Sequence, residues 1–192
     1  MILCPGELLR KLAGEGYTHI LCQPLQVIPG VDFDRLYEEI LPFVPLFEEI
    51  RLGKPLLYDE DDCIEAAKAL PSADPDKAVI YMGHGSVHGK NEMYSLLQKY
   101  LPKQIHLALL SGLPSLEDAL SEISEEQIEL RPLMMVSGVH ILHEMIGDAP
   151  SSWKNQLMAK GYQVTASLTS LLELPGIREI LVRHAKEAEI LK

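Results

Sequence analysis

Ala78-Val79-Ile80-Tyr81-Met82-Gly83-His84-Gly85-Ser86-Val87-His88-Gly89-Lys90-Asn91 is an apolar run that breaks into a loop of glycine, histidine and serine. A short apolar run followed by turn formers reads as a strand buried on both faces, the kind found in parallel sheets. In open α/β sheets, ligands bind at the carboxyl ends of strands, which is where this loop falls. Glycines on either side of His84 let the backbone turn sharply and leave room for a bulky ligand beside the imidazole. A neutral histidine binds borderline metals or takes up a proton near neutral pH. The plainer alternative is a loop histidine that caps a helix or faces water.

Outward from this strand, short runs rich in Ile, Leu and Val alternate with amphipathic segments. Strands are expected at 18–23, 78–82, 104–110, 128–136 and 162–167. Helices are expected near 6–14, 33–49, 60–70, 91–101, 115–124, 140–146, 150–160 and 175–190. This alternation predicts an α/β protein with a parallel sheet covered by helices. The polar stretch from Pro71 to Lys77 reads as a linker, dividing the chain into a partial N-terminal half, 1–72, and a larger C-terminal half, 73–192.

Residues Leu8 to Val31 align without gaps on Leu116 to Val139, with Ile20, Pro24, Gly30 and Val31 recurring as Ile128, Pro132, Gly138 and Val139. The same helix–strand–turn unit is therefore expected twice. The second copy is preceded by two strands and the first by almost nothing, so the first half reads as incomplete. Its open edge is expected to be covered by another copy of the chain, making a homo-oligomer.

With 47% hydrophobic and 23% charged residues, the chain has the composition of a folded globular protein. A formal net charge of −11 argues against a nucleic-acid partner, which demands a broad basic surface. An anionic substrate would have to be met by a local basic group, and Lys90 beside the His84 loop is the nearest candidate. Its alternative is a solvated surface lysine. Cys4, Cys22 and Cys63 form neither a C-x-x-C motif nor an even set, which fits a reducing cytoplasm. Neither a signal-type N-terminus nor an apolar stretch of roughly 18 residues is seen, so no membrane association is expected.

A second cluster, Val139-His140-Ile141-Leu142-His143, follows the strand expected at 128–136. His84 and His140 thus stand at matched strand ends and are expected to converge across a cleft. The spacings of His84 to His88 and of His140 to His143 do not make a closed zinc site, because no further ligands sit at matching distances. An open, exchangeable metal site remains. His143 reads as a helix-surface residue, and His19, His106 and His184 as structural. Ser86 lies in no G-x-S-x-G elbow, and the Gly83-His84-Gly85 turn lacks the pattern of a phosphate loop.

Taken in order, these motifs resemble the anaerobic sirohydrochlorin cobaltochelatases of cobalamin biosynthesis. His84-Gly85-Ser86-Val87-His88 with Asn91 and Tyr94 is similar to that family's H-G-S/T-x-H-x-x-N-x-x-Y segment. Leu133-Met134-Met135-Val136-Ser137-Gly138-Val139-His140 and then Met145-Ile146-Gly147-Asp148 resemble its P-x-M-x-V-A-G-D-H and M-A-G-D segments. Ser152-Trp153-Lys154 and Leu174-Pro175-Gly176-Ile177-Arg178 continue the match, and Gly16-Tyr17 through Pro29-Gly30 resembles the family's first-half motif.

The resemblance implies two chelatase-like, flavodoxin- or Rossmann-like parallel-sheet halves around a cleft, as in the superfamily that includes ferrochelatase. It implies insertion of Co2+ into sirohydrochlorin or a related tetrapyrrole without ATP or an organic cofactor. Fe2+ or Ni2+ are competing ions, since N/O sites discriminate poorly among first-row metals. His84 and His140 would be the metal-binding, proton-accepting pair, and Gly85, Ser86, His88, Lys90 and Ser111 would meet the substrate. The chain departs from the family in two respects. Leu110-Ser111-Gly112 stands where the family has V-E-G, and the family's first strand has no counterpart here. Glu92 and Glu144 are the other carboxylates close to the motifs. Two readings follow, a cobaltochelatase or a catalytically impaired homologue that only binds metal or tetrapyrrole.

Overall fold

The computed structural model describes residues 3–71, 74–86 and 90–192, and the boundary expected at 72/73 falls on residues outside that set. The apolar run that opens the sequence is the centre of the protein. Strand β3 (Ala78–Gly85) is buried along its first six residues and lies between β4 (Ile105–Ser111) and β5 (Gln127–Pro132). With β6 (Gln163–Ala166) they form a four-stranded sheet in the order β4-β3-β5-β6, parallel throughout.

Alternate side chains of β3 feed two cores. Val79 and Tyr81 face Leu97 of helix α4 (Glu92–Gln98) and Ile177, Ile180 and Leu181 of helix α7 (Pro175–Lys186). Ala78, Ile80 and Met82 face Leu116 of helix α5 (Leu116–Ser121) and Trp153 and Leu157 of helix α6 (Trp153–Ala159). A strand covered on both faces has no polar alternation, which is why the run reads as continuous.

A second, three-stranded sheet holds β1 (His19–Cys22), β2 (Glu49–Leu52) and β7 (Glu189–Ile190) in the order β1-β2-β7. The pair β1–β2 is parallel, whereas β7 runs antiparallel to β2. Helices α1 (Pro5–Gly14) and α2 (Val31–Ile40) cover it through a small core of Leu9, Ile40, Ile50 and Leu52. The α/β architecture expected from the sequence is therefore present. Both copies of the aligned unit form a helix followed by a strand, and the strands begin at His19 and Gln127, which are aligned positions.

The expectations at two places are corrected. The helix anticipated over 33–49 ends at Ile40, passes through a 3-10 turn at Leu41–Leu46 and leaves room for β2. Pro42 and Pro45 cause this, since neither has an N–H to donate to a continuing α-helix. The helix anticipated over 175–190 stops at Lys186, and its last residues become β7.

The return of the chain through α7 to the three-stranded sheet is clamped by a largely buried polar cluster with α3 (Glu60–Ala69). Asp62 is 0% exposed and accepts from His184 Nε2 at 2.8 Å, from Arg183 at 2.8 Å and from the Tyr58 N–H at 2.9 Å. Burial alone would raise this carboxyl, but the hydrogen bonds from His184 and Arg183 outweigh it and hold the group at about 2.

Candidate metal-binding cleft

The carboxyl ends of β3 and β4 open towards the segment that links β1 to α2 and the first turn of α2, and a cavity of about 320 Å3 lies between them. Residues between Gln26 and Arg35 line one side, and His84, Gly85, Ser86, Tyr94 and Ser111 line the other. The turn at the end of β3 is dictated by glycine. Gly85 has φ +69°, and a Cβ there would lie 2.0 Å from the Ser111 carbonyl oxygen across the β3–β4 ladder. Gly112 at φ +93° makes the matching approach from β4, where a Cβ would meet Asn91 Nδ2 at 2.3 Å. Asn91 Nδ2 donates to the Ser86 carbonyl at 2.9 Å.

His84 stands exposed at the tip of β3, and His140 approaches it from the loop after β5. The ring centroids are 4.9 Å apart and the planes are inclined at 78°. The expected convergence of the two histidines is present, but it occurs between neighbouring strands of one sheet. The facing wall comes from the N-terminal segment instead. His84 Nδ1 lies 3.1 Å from the Gly85 carbonyl oxygen, and His140 Nδ1 is hydrogen-bonded to the Glu144 carboxylate. Both acceptors lack a proton to give, so each neutral ring carries its hydrogen on Nδ1 and presents a lone pair at Nε2. Among the described residues, no group of three or more His, Cys, Asp or Glu stands together in a way that could hold a metal ion. The pair can supply two nitrogen donors and leave further positions open to a substrate.

The remaining expected residues fall as follows. Gly85, Ser86 and Ser111 line the cavity. His88 lies outside the described residues. Lys90, with φ +64°, is ion-paired with Asp34 of α2, so it bridges the two sides of the cleft. Arg35 brings a second cation to the cavity, and its nearest acid is Asp32 at 3.5 Å, with both side chains well exposed. Tyr94 lines the cavity from α4, and burial pushes its hydroxyl up to about 12 although a backbone hydrogen bond with Gly85 partly offsets this. Sequence reasoning missed Arg35 and Asp34, and it placed Glu144 near the motifs without seeing that it partners His140. Only the aligned turns at Gly30 and Gly138 hinted that the segment after Gly30 faces the same cleft. His143 is exposed, whereas His106 and His184 are buried.

A two-sheet α/β protein with an imidazole pair at parallel strand ends, opening on a cleft, belongs to the chelatase-like class. Similar folds are found in SirB from Bacillus subtilis with Fe3+, at TM-score 0.64, and in the sirohydrochlorin chelatase SirB from Bacillus subtilis subspecies spizizenii in complex with cobalt, at 0.61. These share 19% and 16% identity with this chain; each likeness covers 97% of it, and 78% and 76% of those chains respectively. At that identity the likeness concerns the fold.

The chain belongs to the Cobalt chelatase (CbiK) family, whose model matches residues 1–190. It is 32% identical to the sirohydrochlorin cobaltochelatase of Salmonella typhimurium, covering 96% of this chain and 74% of that protein. It is 30% identical to the sirohydrochlorin cobaltochelatase CbiKC of Nitratidesulfovibrio vulgaris, covering 94% of this chain and 68% of that protein.

Proposed function

We infer that this protein is a sirohydrochlorin cobaltochelatase, which inserts Co2+ into the macrocycle in cobalamin biosynthesis. Family membership and the relatives named above support the reaction. The single observation that carries the site assignment is the contact of His84 with His140, each with its Nδ1 engaged by an acceptor. In this reading the two Nε2 atoms present the metal; as the macrocycle nitrogens displace the imidazoles, two pyrrole protons leave, one to a freed imidazole and the other to water. An imidazole is suited to both roles near neutral pH.

Arg35 and Lys90 would meet a carboxylate-rich substrate by exchanging their present acidic partners, Asp32 and Asp34, for it, against the chain's net charge of −11. Gly85, Ser86 and Ser111 form the near wall against which the macrocycle rests. Fe2+ and Ni2+ compete for the same nitrogen donors. Three free cysteines fit a cytoplasmic setting.

A second reading is favoured by one residue. Ser111 lines the cavity where the family resemblance has a carboxylate, and a neutral hydroxyl is a weak metal ligand and a poor base. Under that reading the protein holds metal or tetrapyrrole without turnover. Incubating sirohydrochlorin and Co2+ with the protein, and following the visible spectrum, separates the two. Insertion changes the macrocycle chromophore irreversibly, whereas binding is reversed by a chelator.

A further inference from the structure

His140 ends the loop from β5, and the next five residues, Ile141–Met145, form a single π-helical turn. Ile141 and Met145 are both 0% exposed and sit in the core beneath the sheet, which pins the turn at its two ends. Between those anchors the chain projects Leu142, His143 and Glu144 outward. Glu144, four residues after His140, folds back so that its Oε2 meets His140 Nδ1. The loop that follows is braced in turn, because Asn155 Nδ2 donates to the carbonyls of Gly147 at 3.2 Å and Ala149 at 2.9 Å.

From this geometry, and resting on the reading of His84 and His140 as the metal pair, we propose that Glu144 is the positioning residue of the site. It holds His140 in the Nδ1–H tautomer and supplies the negative charge that Ser111 does not. The contact is made through the nitrogen away from the metal, so Glu144 is not a metal ligand. A carboxylate that accepts from the distal N–H of a ligating imidazole fixes the ring's orientation and makes the other nitrogen more basic. His84 obtains its orientation from a neutral carbonyl, so the two imidazoles are unequal. His140 becomes the stronger donor to the metal, and His84 is left as the ring that exchanges protons with the macrocycle.

The test uses the full chain and Co2+ alone. Two-dimensional long-range 15N–1H spectra of the histidine rings report the tautomer, and optical or calorimetric titration reports Co2+ affinity. The wild-type protein is expected to show His140 as Nδ1–H. Glu144→Ala is expected to release the ring to a mixture of tautomers and to weaken Co2+ binding about 10- to 100-fold, the effect typical of losing such an outer partner. Glu144→Gln keeps an acceptor oxygen without the charge, so it is expected to preserve the tautomer and to bind Co2+ with intermediate affinity. The proposal is overturned if His140 is Nε2–H in the wild type. It is equally overturned if Glu144→Ala leaves the affinity unchanged, or lowers it while the tautomer stays fixed. The underlying reading fails separately and recognisably, through unchanged Co2+ affinity in His140→Ala.

Discussion

The imidazole of His140 meets that of His84 edge to face, at 4.9 Å between ring centroids, although His84 lies at the end of β3 and His140 follows β5. The contact depends on β3 and β5 being hydrogen-bonded neighbours in parallel register, which brings their carboxyl ends side by side. Replacing either ring by alanine is expected to lower Co2+ insertion at least about tenfold, or about 1.4 kcal/mol in the barrier. Steady-state rates of both variants check this. Unchanged rates in both would remove the pair from the mechanism.

Ser111 lines the cavity from the end of β4. A carboxylate placed there adds negative charge at the metal and a base for a pyrrole proton, so Ser111→Glu is expected to speed insertion by about tenfold. A folded variant that binds tetrapyrrole and runs no faster than the parent would show that Glu144 and the histidines already suffice.

Gly85→Ala tests the turn that carries His84. Its φ of +69° and the 2.0 Å approach to the Ser111 carbonyl mean that the strand end must move. Such strain costs roughly 1–3 kcal/mol, and displacement of His84 is expected to weaken Co2+ binding more than it lowers the melting temperature. Thermal unfolding and metal titration on the same sample give the comparison.

The cluster of Asp62, Arg183 and His184 locks α7 against α3. Asp62→Ala leaves the buried His184 Nε2 without its acceptor, while Arg183 keeps Glu65, and is expected to destabilise the fold by about 1–3 kcal/mol in urea unfolding at neutral pH. The wild type carries the same signature in acid. The folded-state carboxyl titrates at about 2, below the usual 3.8, so its contribution is complete above pH 3.8 and is lost as pH falls through 2. That contribution is about 2 kcal/mol. Stability that is flat across this window would contradict the assignment.

The pattern of the sequence explains which parts could be read from it. Strand β3 was legible because burial on both faces leaves an uninterrupted apolar run, and His84 and His140 were legible because each follows such a run. Strand β2 was hidden: Glu49-Ile50-Arg51-Leu52 is only four residues long and sits just after Pro42 and Pro45, within what reads as one amphipathic segment. Strand β7 exists only because β2 offers it an edge. The partnership of Asp62 with His184 depends on how α3 packs on α7. That of Glu144 with His140 depends on a wide turn that spacing alone does not announce.

Strand β1 lies at the edge of its sheet, and Tyr17, Leu21 and Leu25 around it are each more than half exposed. Edge strands with apolar neighbours are normally covered. Pairing of two copies through this face is expected, and light scattering at micromolar concentration should return twice the mass of one chain. A clean single-chain mass would show that the edge is tolerated.

The most direct test of the central claim is multiple turnover. With sirohydrochlorin and Co2+ each in about tenfold excess over the protein, the account predicts that the macrocycle spectrum converts to the cobalt product well beyond one equivalent, at a rate proportional to protein and abolished in the double variant His84→Ala with His140→Ala. Conversion that stops at or below one equivalent, or that runs no faster than in buffer alone, would contradict it and leave the protein a binder of metal or tetrapyrrole.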